Sequence, residues 1–350
     1  MVFMKKINKL ILILILIFLI TGCVEKEKAP IEPLSRTEFM MDTVMTIKTY
    51  DKNDDKILDK VFERLEEIEN IMSATIETSE ISKINLNAGI APVEVSPDTY
   101  YVIKEAKKYA EVSLGAYEPT IGPLVDLWAI KSGEIERDWI PSELDIETKK
   151  DLIDYNNLEL LDGNRVFLKE KGMKIDLGSI VKGYAADEAK KVLSENGVNI
   201  AIIDLGGNVF AHGVKDNDLP WTIGIQNPLE ATGGYLGVIE VKNKSIVTSG
   251  DYERYFEYEG KKYHHIIDSK TGYPSDNEIM GVTIISDKSI DGDAWSTTLF
   301  VLGVDRGMEL INTIEGVDAI FILKDKSIYL TDFLKDKFIL KDDNSGFTIK

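Results

Sequence analysis

Two oxygen-bearing side chains, Asp293 and Thr297, lie four residues apart in the last quarter of the chain. The segment that holds them, 291–300, has the pattern of a helix start, so both oxygens are expected on one side of that helix. A hard cation takes ligands of this kind. The residues alone leave a second interpretation open, in which Asp293 caps the helix and Thr297 only packs. Asp291 is interpreted as a structural cap, with a role as an extra ligand as the alternative.

Four polar segments that contain glycine stand out against an apolar background. They are GAYEPTIGPLVDLW at 115–128, KIDLGSIVKGYAAD at 174–187, TSGDYE at 248–253 with HHIIDSKTGYP at 264–274, and DGDAWSTTLF at 291–300. Asp176 precedes Leu-Gly, which indicates a strand end or a tight turn. Lys182 could meet a phosphate through its ammonium group, or it could be a solvated surface lysine. A hairpin at Glu259-Gly260 joins the two halves of the third segment.

Several familiar motifs are absent from the sequence. It has no Gly-x-Gly-x-x-Gly turn, and the stretch 204–208 follows an expected strand with the wrong glycine spacing. The stretch 178–184 has its lysine before the second glycine and therefore does not match a P-loop. Three histidines and one cysteine make a zinc site a poor interpretation. No Gly-x-Ser-x-Gly elbow is present, although a histidine-based triad stays open.

Both helices and strands are predicted among the elements that must position these segments. Apolar residues from Ile57 to Met72 recur at steps of three and four, which predicts an amphipathic helix, and 100–110 repeats the pattern more weakly. Strands are predicted at 200–205, 222–225, 235–241, 281–285 and 319–323. Helices gather early and strands late, so the fold class predicted is α+β, a single large domain with an antiparallel or mixed sheet and flanking helices.

The amino terminus has the pattern of an export signal. Lys5, Lys6 and Lys9 precede an apolar run at 10–20, which is too short to span a membrane. Ile20-Thr21-Gly22-Cys23 resembles a bacterial lipobox, so residues 1–22 are interpreted as a lipoprotein signal and Cys23 as the acylated residue; a chance cysteine is the alternative. Residues 23–35 are interpreted as a tether and 36–350 as the folded domain. The expected location is the extracytoplasmic face of the cell membrane.

The charge of the chain bears on its partners. Removal of residues 1–22 takes away three lysines and moves the formal net charge from −19 to −22. A body this acidic offers no surplus of lysine and arginine to neutralise phosphates, so nucleic acid is excluded as a partner.

The four segments, in this order and spacing, resemble the ApbE family, the FAD:protein FMN transferases, over roughly residues 36–340. The resemblance implies an enzyme that splits the pyrophosphate of FAD, transfers FMN to a threonine of an acceptor protein through a phosphoester and releases AMP. It implies Mg²⁺ as cofactor, with Ser179, Asp293 and Thr297 as ligands, and FAD as substrate. Residues implied to contact the flavin nucleotide are Met41, Thr75, Ala116, Tyr117, Glu118, Asp176, Lys182, His265 and Ile267.

His265 is predicted to be the general base, because a neutral imidazole can accept the proton of an attacking hydroxyl. The alternative is a histidine that is satisfied in the core. Adjacent His264 is expected on the opposite face of a strand and without a share in this role. Asp268 either orients His265 or holds the turn before Thr271-Gly272, and Ser269 replaces a proline that is usual in the family.

Three departures from the family pattern affect the prediction. Asp42 replaces a glycine after Met41, Glu118 replaces an aspartate, and Thr75 stands where a tyrosine usually lies near FAD. A smaller residue at 75 could admit water, so hydrolysis of FAD to FMN and AMP is the alternative activity. A non-catalytic flavin-binding lipoprotein is a third interpretation. The acceptor is expected to be a subunit of a membrane electron-transfer complex.

Overall fold

In the described part of the chain, nine strands form one sheet in the order β1-β2-β6-β7-β10-β13-β14-β15-β17. Neighbours are antiparallel except β15 and β17, which are parallel. The strands are β1 Leu34–Met40, β2 Thr43–Thr49, β6 Ala201–Leu205, β7 Asn208–His212, β10 Lys244–Gly250, β13 Ile279–Ser286, β14 Asp318–Leu323, β15 Ser327–Leu330 and β17 Thr348–Ile349.

Three smaller sheets flank the large one among the described residues. They join β3 Val93–Glu94, β5 Arg165–Leu168 and β4 Leu158–Leu161; β16 Phe338–Leu340, β9 Tyr235–Val241 and β8 Trp221–Gln226; and β11 Tyr255–Tyr258 with β12 Lys261–His264. The β11–β12 hairpin turns at Glu259 (φ 50°) and Gly260 (φ 77°), which confirms the predicted hairpin.

The described ranges also contain eight α-helices. They are α1 Asp55–Met72, α2 Glu80–Leu86, α3 Pro97–Val112, α4 Gly122–Trp128, α5 Glu143–Lys150, α6 Val181–Glu195, α7 Ser289–Leu302 and α8 Val304–Ile311. α1 contains the predicted amphipathic helix and begins where the Asp54 carboxylate accepts a hydrogen bond from the Lys56 amide at 3.1 Å. α3 contains the second predicted helix, at 100–110.

Strand β14 shows how the sheet separates two cores. Ala319, Phe321 and Leu323 pack with the helices, whereas Ile320 and Ile322 pack toward β8, β9 and β16 on the other face. Successive side chains of a strand point to opposite faces, so a strand buried on both sides is apolar throughout. The prediction of an α+β fold with a mixed sheet and flanking helices is confirmed.

The order of the elements differs from the prediction in one respect. β1 and β2 come before the first helix, and α7 and α8 come late, so helices and strands are not divided between the two halves. β1 is polar and largely exposed, and it belongs to the sheet because it pairs with β2 along its whole length. β1 also begins at Leu34, two residues inside the segment interpreted as a tether.

The computed structural model describes residues 32–130, 137–215, 218–231, 233–342 and 346–350. Residues Pro33–Lys350 form one compact unit. The predicted signal at 1–22 and the predicted acylated Cys23 lie outside the described residues. Within those ranges, none of the helices has the length and apolar character needed to cross a membrane.

Candidate active site

Helices α6 and α7 pack closely enough to bring two of the predicted segments together. A Cβ atom on Gly183 of α6 would lie 2.4 Å from the Ser289 carbonyl oxygen and 2.7 Å from the Ile290 Cα of α7. Only a residue without a side chain allows this approach. The glycine in the second segment is therefore required by the contact with the fourth.

Asp293 lies at this helix contact and is 3 % exposed. Its Oδ2 accepts a hydrogen bond from the Gly183 amide at 2.9 Å, and its Oδ1 lies 3.7 Å from the Lys182 Nζ. A buried carboxylate is stable only when it is paired and hydrogen-bonded. Asp293 and Lys182, which the sequence placed in separate segments, thus form one ion pair.

Asp293 does not cap α7, because that helix begins at Ser289 and Asp293 lies one turn inside it. Its carboxylate instead accepts a hydrogen bond from the Gly183 amide in the first turn of α6, so the alternative in which Asp293 caps a helix holds for α6. The residue that caps α7 is Asp187 of α6, whose carboxylate accepts hydrogen bonds from the Ser289 and Ile290 amides at 2.8 and 3.0 Å. Burial raises the pKa of Asp187 to about 6. Asp291 does not cap α7 either, because its carboxylate accepts a hydrogen bond from the Tyr109 hydroxyl.

Thr297 lies one turn after Asp293 on the same face of α7, as predicted. Its hydroxyl oxygen is 3.4 Å from the Ser249 Oγ of β10, and the same Ser249 oxygen is 2.8 Å from the Ser296 Oγ. β10 therefore contributes a hydroxyl group to this side of the site.

Ser179, the third predicted metal ligand, precedes α6 by two residues. Its hydroxyl donates to the Tyr117 hydroxyl oxygen at 3.2 Å, which connects it with the 115–128 segment. Tyr117 is 1 % exposed, and burial raises the pKa of its phenol far above the usual value. Tyr117 therefore remains neutral and can hold Ser179 without adding charge.

The donor set fits a hard cation. Asp293 supplies a carboxylate, and Thr297 and Ser179 supply hydroxyl oxygens, which are the ligand types that Mg²⁺ accepts. In the described ranges, no three His, Cys, Asp or Glu side chains are grouped so that they could hold a metal ion, so Asp293 is the one carboxylate in this donor set. The ammonium group of Lys182 lies 3.7 Å from the Asp293 carboxylate, which therefore already faces one positive charge.

The segment before α4 and the segment before α6 are joined by backbone contacts. The Asp176 amide donates to the Pro119 carbonyl at 3.0 Å, and Ile121 and Lys174 form a parallel bridge. The Asp176 carboxylate accepts from the Gly178 amide at 2.8 Å, which is the predicted tight turn. Burial raises the pKa of Asp176, against the opposing charges of Arg254 and Lys182.

Ala116 is buried beside Tyr117 in the first of these segments. The Glu118 carboxylate accepts hydrogen bonds from the Thr120 amide and hydroxyl at 2.9 and 2.7 Å and from the Tyr155 amide at 3.2 Å. Both oxygens of Glu118 thus hold the local backbone. Its contact with the nucleotide stays a prediction that this arrangement does not favour.

His265 follows the end of β12 and is oriented by the backbone of Arg254. Its amide donates to the Arg254 carbonyl at 3.0 Å, and its Nδ1 lies 3.3 Å from the same oxygen. A carbonyl can only accept, so Nδ1 carries the proton and Nε2 carries the free lone pair. Burial, the charge of Arg254 and the neighbouring His264 lower the pKa of His265 to about 3, so the ring is neutral near pH 7.

His264 has separate partners, as predicted. Its Nε2 lies 2.8 Å from the Ser275 carbonyl, and its Nδ1 accepts from the Ile266 amide at 3.3 Å. The two contacts occupy both ring nitrogens, and burial lowers the pKa of His264 to about 4. Of this pair, His264 is the histidine satisfied in the core, and His265 is the one whose Nε2 has no partner within the described residues.

The turn after His265 settles the alternative for Asp268. Its Oδ1 accepts from the Lys270 amide at 2.9 Å, and its carbonyl accepts from the Gly272 amide at 2.8 Å. Asp268 therefore holds the turn, and the Arg254 carbonyl orients His265. Ser269, in place of the usual proline, donates its hydroxyl to the Gly115 carbonyl at 3.1 Å.

The β1–β2 turn brings Met41 toward the same region. Met41 and Asp42 both have left-handed backbone conformations, with φ of 49° and 57°. Glycine adopts this conformation without cost and aspartate tolerates it, which explains the exchange at 42. The Arg254 Nη2 lies 3.4 Å from the Asp42 carbonyl, so one arginine contacts both the Met41 turn and His265.

Two predicted residues are less closely tied to the rest. Thr75 is exposed between α1 and α2, with its hydroxyl 2.9 Å from the Ser73 hydroxyl. Ile267 packs against a separate apolar cluster that contains Trp128 and Phe256. In the part of the chain that the structure describes, neither makes a polar contact with Asp293 or His265, and their contact with flavin stays a prediction.

Three residues that hold site side chains in place were not predicted from the sequence: Asp187, Ser249 and Arg254. Asp187 and Ser249 lie inside the glycine-containing polar segments, and Arg254 directly follows one of them. Membership in these segments was therefore the one indication in the sequence that they belong to the site. Their roles depend on contacts with residues 102, 48 and 11 positions away, which no local pattern reveals.

Comparison with known families gives a match over most of the chain. The model of the ApbE family matches residues 41–321 of the chain. A relative from Klebsiella pneumoniae, named FAD:protein FMN transferase, is 37 % identical over 317 residues, which cover 90 % of this chain and 96 % of the relative. One of the same name from Treponema pallidum is 34 % identical over 333 residues, with 90 % and 91 % covered.

Solved structures agree with the sequence comparison. The ApbE protein from Thermotoga maritima has a TM-score of 0.79 and 33 % identity, covering 87 % of this chain and 99 % of its own. The flavin transferase ApbE from Vibrio cholerae has a TM-score of 0.74 and 26 % identity, with coverage of 91 % and 99 %.

Proposed function

The chain belongs to the ApbE family, and from this premise we propose that it transfers FMN from FAD to a threonine of an acceptor protein with release of AMP. The observation that carries the proposal is the neutral His265, whose Nδ1 donates to the Arg254 carbonyl and whose Nε2 has no hydrogen-bond partner among the described residues. Relatives that cover most of the chain bear the name FAD:protein FMN transferase, which supports a flavin transferase.

The proposed reaction is a single displacement at phosphorus. The threonine oxygen bonds to the phosphorus of the FMN half, and the bond from that phosphorus to the bridging oxygen breaks. AMP leaves with the bridging oxygen, and the threonine proton passes to the Nε2 of His265. Such transfers depend mainly on positioning and on charge stabilisation.

The low pKa of His265 bears on when it acts as a base. Arg254 and Lys182 both lower it. The anionic pyrophosphate of FAD would offset these charges and raise the pKa, because an opposite charge nearby favours the imidazolium. His265 would therefore become an effective base when the substrate is bound.

Asp293, Thr297 and Ser179 would hold Mg²⁺, which would supply positive charge against the pyrophosphate. Lys182 would add the charge of its ammonium group on the same side. Asp176, with Tyr117 and Ala116, would line the nucleotide, and Met41 would lie against one of its rings.

We also propose that residues 1–22 are an export signal, that Cys23 carries the lipid and that the enzyme acts at the extracytoplasmic face of the membrane. The basic and apolar pattern at 5–20 and the Thr-Gly-Cys that follows support this proposal. The acceptor would then be a subunit of a membrane electron-transfer complex with its threonine on the same side.

The test uses the full chain in detergent with FAD, Mg²⁺ and a soluble acceptor domain that carries one candidate threonine. AMP release is measured together with flavin fluorescence on the acceptor band after denaturing electrophoresis. The control acceptor has that threonine replaced by valine. We expect AMP and fluorescence only with the threonine acceptor, and loss of both in EDTA.

Two other outcomes would replace the proposal. Equal AMP release without an acceptor would make the chain an FAD pyrophosphatase, which the small, exposed Thr75 would permit. Bound FAD without AMP release would leave a flavin-binding lipoprotein.

A further inference from the structure

Three successive residues of α7, Ser296, Thr297 and Thr298, carry hydroxyl groups, but they do not use them alike. The Ser296 hydroxyl donates to the Asp293 carbonyl at 3.0 Å, and the Thr298 hydroxyl donates to the Ala294 carbonyl at 2.7 Å. These are the usual bonds of serine and threonine inside a helix. Within the described chain, the partner of the Thr297 hydroxyl is instead Ser249 of β10, at 3.4 Å.

The direction of these bonds follows from the number of protons. Each hydroxyl has one proton to donate and two lone pairs to accept with. Ser296 uses its proton on the Asp293 carbonyl, so in the 2.8 Å contact Ser249 must donate to Ser296. Ser249 then has only lone pairs left, so Thr297 must donate to Ser249.

We propose that Ser249 is a positioning residue, which draws the proton of Thr297 toward β10 and so leaves the lone pairs of Thr297 available to a cation. The inference rests on the proposed function in one respect, the assignment of Thr297 as a cation ligand. It adds that β10, through the serine of the TSGDYE segment, sets the orientation of that ligand.

The side-chain rotamer of Thr297 decides whether its oxygen stays on the face that it shares with Asp293. In a helix, threonine divides between two χ1 rotamers because its oxygen can turn back to a carbonyl three or four residues earlier. Thr298 adopts that arrangement. Without Ser249, Thr297 would be free to turn in the same way, and its oxygen would be withdrawn from the face that it shares with Asp293.

The experiment measures Mn²⁺ binding to the full chain by electron paramagnetic resonance, without FAD or acceptor. Loss of a residue that orients a metal ligand costs about 10-fold or more in affinity, which we expect for Ser249→Ala. The conservative Ser249→Thr retains the hydroxyl and should recover most of the binding.

The matched control is Thr248→Val on the same strand. Thr248 points to the opposite face and shares a 2.8 Å hydroxyl contact with Thr283, so this variant also loses a hydroxyl pair between β10 and β13. It should bind Mn²⁺ like the unaltered chain. Thermal unfolding of all variants separates lost binding from lost structure.

The outcomes distinguish this inference from the proposed function. Equal Mn²⁺ affinity of Ser249→Ala and the unaltered chain would overturn the role of Ser249 even if FMN transfer is intact. Equal weakening in Thr248→Val would overturn it as well, since the effect would then follow from the strand. Weakened Mn²⁺ binding in Ser249→Ala alone would support it even if the chain proved to hydrolyse FAD.

Discussion

On the α6–α7 side of the candidate site, side chains are held by helix packing, whereas on the strand-and-loop side they are held by bonds to the backbone. Asp293 is buried where α7 meets Gly183, so its position depends on how closely two helices approach. His265 and Asp176 are positioned by the Arg254 carbonyl and the Pro119 carbonyl. The position of Asp293, the proposed metal ligand, therefore depends on the packing of two helices, and that of His265, the proposed base, on a single backbone carbonyl.

The largest effect is expected from removal of the charge on the helix side. Asp293→Asn keeps an oxygen for the Gly183 amide but loses the negative charge that a cation needs. Because a bound cation contributes several kcal/mol to such a transition state, FMN transfer should fall about 1000-fold. Initial rates of AMP release with the acceptor measure this.

The matched control for Asp293→Asn is Asp291→Asn, two residues earlier on the same helix, where the carboxylate contacts Tyr109. We expect the rate of FMN transfer by Asp291→Asn to stay within a small factor of the rate of the unaltered chain. Similar losses in both variants would mean that any charge change in this helix is harmful, and the contrast between the two sides would lose its basis.

On the loop side, His265→Gln should remove the base without disturbing the fold. Loss of a general base costs about 100-fold or more in kcat. FAD affinity, followed by quenching of flavin fluorescence, should change little. His264→Gln is the control from the opposite face of the same strand end, and it should retain most of the rate; a larger rate loss there would reverse the two assignments.

Packing on the helix side can be tested through Gly183→Ala. The added methyl group would meet the backbone of Ser289 and Ile290, so the helices must separate, at a cost of about 1–3 kcal/mol in the free energy of unfolding. Urea unfolding measures the change. Gly224→Ala in β8 is the control, because its new methyl group would meet only the Tyr235 side chain at 3.2 Å or more.

An effect of similar size is expected in the pH dependence of stability. The pKa of His264 is about 4 in the folded chain and near 6.5 when unfolded, so the unfolded state binds more protons between these values. Stability is therefore lost as pH falls from about 6.5 toward 4. His264→Gln should reduce the loss between pH 7 and pH 5 by about 2 kcal/mol.

The sign of this pH effect can be checked against two other groups. His265 acts in the same direction as His264, and Asp187, with a pKa raised to about 6, acts in the opposite direction. Both are present in the unaltered chain and in His264→Gln, so they cancel in the comparison. Identical urea midpoints across pH for the two proteins would contradict the assignment of His264.

Local patterns in the sequence predicted much of the fold. The three- and four-residue steps of α1 predicted its buried face, and the apolar run at 319–323 predicted β14. The first follows from the period of a helix, and the second from the continuous apolar run of a strand that is buried on both faces. The position of β1 could not be predicted in this way, because a polar strand at a sheet edge is defined by pairing with β2 and not by its own composition.

The sequence by itself determined which residue types are available for chemistry: a carboxylate and a hydroxyl at helix spacing, a pair of histidines and a lysine among glycines. It also determined the hairpin at 259–260, since the turn residues are local. Three features depend on the folded chain: which histidine of the 264–265 pair keeps an unpaired nitrogen among the described residues, that Asp187 rather than Asp293 caps α7, and that Ser249 contacts Thr297. Each depends on a hydrogen bond between distant segments, and the protons and lone pairs of one group can be assigned only when its partner is known.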